Sequence, residues 1–310
     1  MLSRGLGLHS SKCKAQTNVS GWSTRGEVRI EDGLVLKVLP EGEGLEILGT
    51  VLALGDATRI EIEHRIAAGW RSFWSLKRLL LNCKTSVKKR LRLFDATVGS
   101  SVLWCCQSWT PRVDEMRLLQ TARNGMLRRI CGSGRVPDEP WVEWIQRTTR
   151  RARGLAENAG VREWVHAHAA MKWSWAGHVL RRPVDSWVWK VTTWRDSAWN
   201  DIALECGSFR PLRPSRRRWM KWEDNLRRFS ASQELGVWTD VTSDRETWAS
   251  WRDAFADWFA AKCAESYKAP TFLRLTNGDP ERMQKHQRVA ERRKLKYDVN
   301  AIGRAMSCAS

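Results

Sequence analysis

The chain has 310 residues, 42% of them apolar, which is enough for one large or two ordinary domains with buried cores. Lys and Arg number 53 against 34 Asp and Glu, so the net charge is +19; this predicts a polyanionic partner, with nucleic acid favoured over an anionic membrane. No apolar run reaches the roughly 18 residues of a membrane-spanning helix. The N-terminus lacks an apolar signal segment, and none of the eight cysteines stands in a CxxC pair, so we expect an intracellular protein with reduced thiols.

The strand signals lie near the N-terminus. Glu27–Ile30 and Leu34–Leu39 flank Asp32-Gly33, a pairing typical of a β-hairpin. Glu46–Leu54 is predicted as a third, apolar strand. The sequence therefore predicts a small antiparallel β element ahead of a mainly α fold.

Helical spacing of apolar residues dominates after residue 55. Thr58-x-x-Glu61 has the pattern of a capping box and opens a predicted helix that reaches Leu81. One face of this helix is apolar and the other is predicted to expose Arg65, Arg71, Lys77 and Arg78. The other predicted helices are Ser86–Gln107, Asp114–Cys131, Pro140–Asn158, Val161–Leu180, Arg216–Phe229 and Arg245–Tyr267, the last behind a capping box at Ser243-x-x-Glu246.

Tryptophan is the unusual component, with 20 Trp against 2 Tyr and 7 Phe. Many of these residues recur at helical spacing with other apolar residues, as in Trp70, Phe73 and Trp74. Such a stripe predicts a buried core, with stacking on nucleic-acid bases as the alternative.

Clusters of cations are the candidate nucleic-acid contacts, because guanidinium and ammonium groups pair with phosphates. The predicted contact residues are Arg65, Lys77, Arg78, Lys84, Lys88, Lys89, Arg213, Arg216, Arg217 and Arg218. The alternative is a solvated helix face and, for residues 205–217, a solvated linker. A basic stretch at 282–296 is a further candidate for RNA binding or nuclear localisation. His166, His168 and His178 lack metal-ligand spacing, so no metal or cofactor is predicted.

Several blocks of the sequence, spread over about residues 1–260, resemble reverse transcriptases of non-LTR retrotransposons. Met1–Asn18 resembles the stretch that follows their catalytic aspartates, and Lys12-Cys13-Lys14 within it resembles polymerase motif D. Leu45–Gly49 resembles the primer-grip hairpin, and Ile62–Leu81 resembles the thumb helix behind it. The other blocks that resemble these proteins are Ser86–Met126, Trp175–Val179, Arg213–Asp224 and Asp244–Trp248.

The resemblance implies positions and roles for parts of the chain. Lys12 and Lys14 would approach the incoming triphosphate, and Leu48 and Gly49 would belong to the primer grip. The implied regions are a palm remnant with the hairpin at 1–55, a helical thumb-like domain at 56–135, a helical connection at 136–204, a basic loop with C-terminal helices at 205–267 and a basic tail, helical or disordered, at 268–310.

No Asp-Asp pair occurs in the 310 residues, whereas two-metal phosphoryl transfer needs carboxylates that hold two cations. The predicted function is therefore a truncated RNA-directed DNA polymerase that binds RNA or DNA backbones without catalysing polymerisation by itself; Mg²⁺ is expected only for an intact polymerase. One alternative is a non-catalytic helical scaffold protein whose basic surface is incidental. Another is a longer locus that encodes the missing palm upstream of Met1.

Overall fold

The computed structural model describes residues 13–17, 26–29, 35–40, 43–54, 56–132, 134–193 and 221–268. The chain divides into two units, Met1–Ala261 and Lys262–Ser310. Of the second unit, the structure describes residues 262–268. The predicted loop at 205–217 and the basic stretch at 282–296 lie outside the described residues.

Two small sheets precede the helices. Strands β1 (Lys14–Ala15), β2 (Glu27–Arg29) and β3 (Val35–Val38) form the first, in the order β1-β3-β2. The antiparallel pairing of β2 with β3 confirms the predicted hairpin, and β1 runs parallel to β3. Strands β4 (Leu45–Ile47) and β5 (Thr50–Leu52) form the second sheet as an antiparallel hairpin.

The prediction of one strand over Glu46–Leu54 is wrong, because the chain reverses in its middle. Leu48 and Gly49 both lie in the left-handed region, with φ of 52° and 80°. Two consecutive left-handed residues form the tight turn whose twist matches that of paired strands. Apolar content alone does not reveal such a turn, since Leu48 is an unusual residue for it.

Helices make up most of the remaining described chain, which confirms the mainly α fold. Their bounds are α1 Ala57–Ser75, α2 Lys77–Leu80, α3 Val87–Phe94, α4 Ser100–Val102, α5 Val113–Cys131, α6 Trp141–Asn158, α7 Trp164–Leu180, α8 Trp187–Thr193, α9 Asp224–Ser232, α10 Trp238–Val241, α11 Arg245–Ser250 and α12 Arg252–Lys268. A π-helical turn, Asp95–Gly99, joins α3 to α4, and a 3₁₀ turn covers Cys106–Ser108.

Both predicted capping boxes are wrong in detail. Helix α1 begins at Ala57 without a side-chain cap. The Thr58 hydroxyl instead accepts a hydrogen bond from the Thr110 amide at 3.4 Å, and the Glu61 carboxylate accepts one from the Val51 amide at 2.6 Å. Helix α11 is capped by Asp244 rather than by Ser243, through the amides of Glu246 and Thr247. At α1, contacts with residues outside the helix therefore use the two side chains that local spacing assigned to a cap.

Three predicted long helices are interrupted. The first breaks at Leu76, between α1 and α2, and the last breaks at Trp251, between α11 and α12. The helix predicted for Ser86–Gln107 contains the π-helical turn and ends at Val102, followed by Cys105 with a φ of 55°. The Arg162 side chain donates a hydrogen bond to the Asp95 carbonyl at 3.0 Å, which explains the irregular backbone there.

The helices α5, α6 and α7 match their predicted bounds closely. Gly132 follows α5, Pro140 directly precedes α6, and the Glu163 carboxylate caps α7 by accepting from the amides of Val165 and His166. Local signals at the ends of these helices agree with the tertiary structure, which is why the sequence located them.

The core of the first unit is apolar and aromatic. Its largest fully buried apolar side chains include Phe73, Phe94, Trp164, Trp173, Phe229 and Phe255. The prediction that the tryptophans are core residues holds for Trp109, Trp164, Trp173, Trp238 and Trp248, which are buried. It is wrong for Trp74, Trp104 and Trp187, which are 47%, 53% and 81% exposed. No helix among the described residues is long and apolar enough to cross a membrane.

Candidate nucleic-acid interface

The segment between Glu63 and Asp95 contains no acidic residue. It forms the second half of α1, all of α2 and all of α3. The Asp95 carboxylate at its end is already paired with the Arg162 guanidinium at 2.9 Å. Apart from Arg65, which pairs with Glu61, the cations of this segment have no acidic residue within it to neutralise them.

Seven cations of this segment are exposed. One of them, Arg92, donates to the Ala159 carbonyl at 3.3 Å. We call the other six the basic ridge, of which Lys84 lies in the connection between α2 and α3: Arg71, Lys77, Arg78, Lys84, Lys88 and Lys89. Within the described part of the chain, none of the six forms an ion pair with a carboxylate. The exposure predicted for Arg71, Lys77 and Arg78 is found, and the predicted contact residues Lys84, Lys88 and Lys89 are exposed as well. A run of unpaired cations produces a local positive potential that attracts phosphates.

The turn between α2 and α3 presents Lys84. The Asn82 side chain accepts a hydrogen bond from the Lys84 amide at 3.0 Å, and the Thr85 amide donates to the Asn82 carbonyl at 3.1 Å. An Asx turn of this kind fixes the backbone locally. The ridge therefore continues from α2 to α3 across an ordered connection.

Arg90 connects the helices that carry the ridge. Its side chain is buried, and its guanidinium donates to the carbonyls of Leu80 at 3.2 Å, Thr85 at 3.0 Å and Ile130 at 2.6 Å. The acceptors belong to the end of α2, the connection and the end of α5. Carbonyls at helix C-termini lack partners within the helix, so one arginine here satisfies two helix ends and orients α2 against α3.

Arg65 does not belong to the ridge, and the prediction that it faces solvent is wrong. Its side chain is 8% exposed and forms an ion pair with Glu61 at 3.1 Å. Burial raises the pKa of the Glu61 carboxyl, while the Val51 amide and Arg65 oppose that rise. The physical reason for the error is that a buried carboxylate one turn earlier holds the guanidinium inside the fold.

The β4–β5 hairpin is attached to the helical region near this ion pair. The Trp104 indole donates to the Leu48 carbonyl at 3.3 Å, and Glu61 accepts from the Val51 amide. Leu48 itself is 89% exposed at the tip. Gly49 occupies the left-handed position of the turn, where a side chain would be strained.

The remaining predicted site residues lie elsewhere or are not described. Lys14 is exposed on β1, and Lys12 lies outside the described residues. Arg213, Arg216, Arg217 and Arg218 also lie outside them. Of the predicted site residues that the structure describes, five lie on the ridge, two lie at the tip of the β4–β5 hairpin, and Arg65 is buried.

A groove with a volume of about 550 Å³ runs along α7. Its cations are neutralised, since Arg162 pairs with Asp95 and Arg252 pairs with Asp253, both at 2.9 Å. His166 lies 3.2 Å from Asp257. No group of three His, Cys, Asp or Glu residues within the described ranges is arranged to hold a metal ion. This groove is a weaker candidate for binding a polyanion than the ridge.

Helix α7 also contains two buried ionisable residues that sequence reasoning assigned no role. The Lys172 amine donates to the Trp109 carbonyl at 3.0 Å and lies 5.2 Å from the centre of the Trp222 ring. Burial lowers the pKa of Lys172 to about 7. Burial likewise lowers the pKa of His168 to about 3, and its Nδ1 contacts the Cys106 carbonyl at 2.9 Å. Both groups lie in the core, without access to a ligand.

Comparison with known proteins gives one relative. An uncharacterized transposon-derived protein of Caenorhabditis elegans is 25% identical to the chain over 198 residues. The match covers 61% of this chain and 62% of the relative, so the chain spans about three-fifths of that protein's length. No protein-family model matches the chain, and no solved structure matches it.

Proposed function

We propose that the basic ridge binds the phosphate backbone of RNA or DNA. The observation that supports this proposal is the acid-free segment, whose six ridge cations are exposed and have no carboxylate partner in the described chain. Each phosphate that such a cation neutralises releases condensed counterions, which favours binding and makes it salt-dependent.

We further propose that the chain derives from a non-LTR retrotransposon reverse transcriptase, from the region behind its catalytic aspartates. The name of the C. elegans relative supports an origin in a transposable element. The motif resemblance adds the reverse-transcriptase assignment, and the β4–β5 hairpin lies where that resemblance expects the primer grip. In this assignment α1 and α2 correspond to the thumb helix, and the ridge contacts the backbone of the bound nucleic acid.

This chain by itself is expected to lack polymerase activity, because its sequence contains no Asp-Asp pair to hold two catalytic metal ions. Primer extension on an RNA template with Mg²⁺ or Mn²⁺ tests this point. Extension above that of a heat-inactivated sample, with contaminating polymerase excluded, would contradict it.

The second candidate is a helical interaction protein, which the surface around α8 favours. Val184, Trp187, Val188 and Val191 are 64%, 81%, 46% and 70% exposed there. Exposed apolar side chains in a group mark surfaces that bind other proteins. This candidate predicts no dependence of function on the basic ridge.

A matched pair of charge variants tests the proposed function. The ridge variant carries Lys77→Glu, Arg78→Glu and Lys88→Glu, and the control carries Arg182→Glu, Arg228→Glu and Arg245→Glu on exposed positions outside α1–α3. Each replacement of Lys or Arg by Glu lowers the net charge by two, so three replacements lower it from +19 to +13 in both variants. We expect the ridge variant alone to lose most of its affinity for RNA and DNA. Equal affinities of the two variants would contradict a contact at the ridge.

A further inference from the structure

Trp74 is an exposed aromatic residue within the basic ridge. It leaves 47% of its surface in solvent, although its neighbour Phe73 is fully buried. Arg71 precedes it by three residues and so lies on the same side of α1. Lys77 and Arg78 follow directly in α2. Ridge cations therefore both precede and follow Trp74 in the sequence, with Arg71 on the same side of α1.

The indole is held in place by other aromatic rings. Trp70 stacks on it with ring centroids 6.1 Å apart and an interplanar angle of 21°, and Phe73 meets it edge to face at 5.2 Å. The Arg129 guanidinium lies 4.9 Å from the centre of the Trp70 ring, which supports the stack from the side of α5. A ring fixed in this way loses little conformational freedom when a ligand stacks on it.

Three other tryptophans of the described chain are more than half exposed, and one of them, Trp141 at 62%, lies on α6 outside the ridge. Trp104 donates its indole hydrogen to the Leu48 carbonyl and so attaches the hairpin. Trp187 lies on α8, outside the ridge, with the Lys190 amine 5.7 Å from its ring centre. Trp74 is thus the exposed ring that combines a fixed orientation with unpaired cations on both sides.

From this arrangement we propose that Trp74 is a stacking site for an unpaired base of single-stranded RNA or DNA, whose phosphates lie along the basic ridge. The proposal rests on the proposed function and adds the class of substrate. Proteins that bind single strands combine a cationic track with aromatic rings on which bases stack. A duplex hides its base faces except at its ends, whereas a single strand presents each one.

Two fluorescently labelled DNA strands of equal length separate stacking from charge. One is an oligothymidylate, and the other carries abasic sites throughout, so that both have the same phosphates. Fluorescence anisotropy gives the affinity of each strand for the full-length protein, for Trp74→Leu and for Trp74→Phe. Trp187→Leu serves as a control, because it removes an exposed tryptophan outside the ridge.

We expect Trp74→Leu to bind oligothymidylate about 5- to 150-fold more weakly than the unmodified protein, as one lost base–aromatic stack contributes ~1–3 kcal/mol. Its affinity for the abasic strand should be unchanged, Trp74→Phe should retain most of the affinity, and Trp187→Leu should behave as the unmodified protein. Melting temperatures show whether each variant folds.

The possible failures are distinguishable. If the unmodified protein binds both strands but Trp74→Leu binds them with unchanged affinity, the stacking site is wrong and the backbone contact stands. An equal loss on both strands would also contradict stacking, because the abasic strand has no base to lose. If the unmodified protein binds neither strand nor a duplex at low salt, the proposed function itself is wrong.

Discussion

Three arginines of α1 and α3 have different surroundings although they lie close together in sequence. Arg71 is exposed, Arg65 pairs with a buried carboxylate, and Arg90 donates to three carbonyls. The planar guanidinium carries five donors, so it can serve as a phosphate ligand or as an internal cross-link. Which role a given arginine has depends on the acceptors that the folded chain places near its guanidinium.

Replacement of Arg90 by alanine is expected to destabilise the protein by about 3 kcal/mol. The change removes three hydrogen bonds and leaves the buried carbonyls of Leu80 and Ile130 without this donor. Urea denaturation followed by circular dichroism measures the loss. Lys89→Ala, at the adjacent exposed position, should stay within about 0.5 kcal/mol of the unmodified protein. A similar stability of the two variants would contradict the structural role of Arg90.

Lys172 is expected to make stability increase with pH above neutrality. Burial lowers its pKa from 10.5 to about 7 in the folded state, so between these values the unfolded chain binds more protons. The free energy of unfolding therefore rises with pH between these two pKa values, by at most ~1.4 kcal/mol per pH unit. Below the lower value Lys172 is charged in the folded state, and the full cost of burying that charge is present. Lys172→Met should give a flatter profile.

The clearest range for this measurement lies between pH 7 and 9. Burial raises the pKa of the Cys106 thiol from 9.0 to about 12, so that group lowers stability as pH rises beyond 9. His168, with its pKa lowered from 6.5 to about 3, reduces stability as pH falls below 6.5. Denaturation curves at several pH values within this range give the free energy of unfolding of the unmodified protein and of Lys172→Met. Parallel plots of this free energy against pH for the two proteins would show that Lys172 does not titrate as described.

At the scale of elements, the sequence predicted helices more reliably than their interruptions. Helices α5, α6 and α7 have strong periodicity and local end signals, and their predicted bounds are nearly those observed. The irregular turn at Asp95 depends on Arg162, 67 residues away. The Thr58 hydroxyl accepts from the Thr110 amide instead of capping α1. Local patterns cannot contain such long-range partners.

Gly177 illustrates an element contact that the sequence did not reveal. A Cβ at this position in α7 would lie 2.5 Å from the Trp248 ring. That ring cannot move easily, because it stacks on Trp173 with centroids 3.7 Å apart and the two indoles donate to each other's carbonyls at 2.7 and 2.9 Å. Gly177→Ala is therefore expected to lower the free energy of unfolding by about 1–3 kcal/mol.

The matched control for this substitution is Gly154→Ala in α6. A Cβ at Gly154 would meet no atom within 4 Å, so the better helix propensity of alanine should stabilise the protein by about 0.5–1 kcal/mol. Urea denaturation of both variants gives the two changes. Stabilisation by Gly177→Ala would show that α7 and Trp248 are not packed as closely as described.

At the scale of the whole molecule, the charge is unevenly placed. The acid-free segment is visible in the sequence, and five predicted contacts within it are exposed on the ridge. The sequence could not show that Arg65 is buried, that Arg90 cross-links helix ends or that Trp74 stays in solvent, because these properties depend on packing between α1, α3 and α5. Nucleic-acid binding by the ridge remains a prediction.

The most direct test of this prediction is the salt dependence of binding. The affinities of the unmodified protein and of the ridge variant (Lys77→Glu, Arg78→Glu, Lys88→Glu) for one duplex are measured over a series of salt concentrations. We predict that log K falls linearly with log salt for the unmodified protein, and that the slope of the variant is smaller by ~0.9 for each lost phosphate contact, up to ~2.7 for three. A flat plot for the unmodified protein, or identical slopes for the two proteins, would contradict a phosphate contact at the ridge.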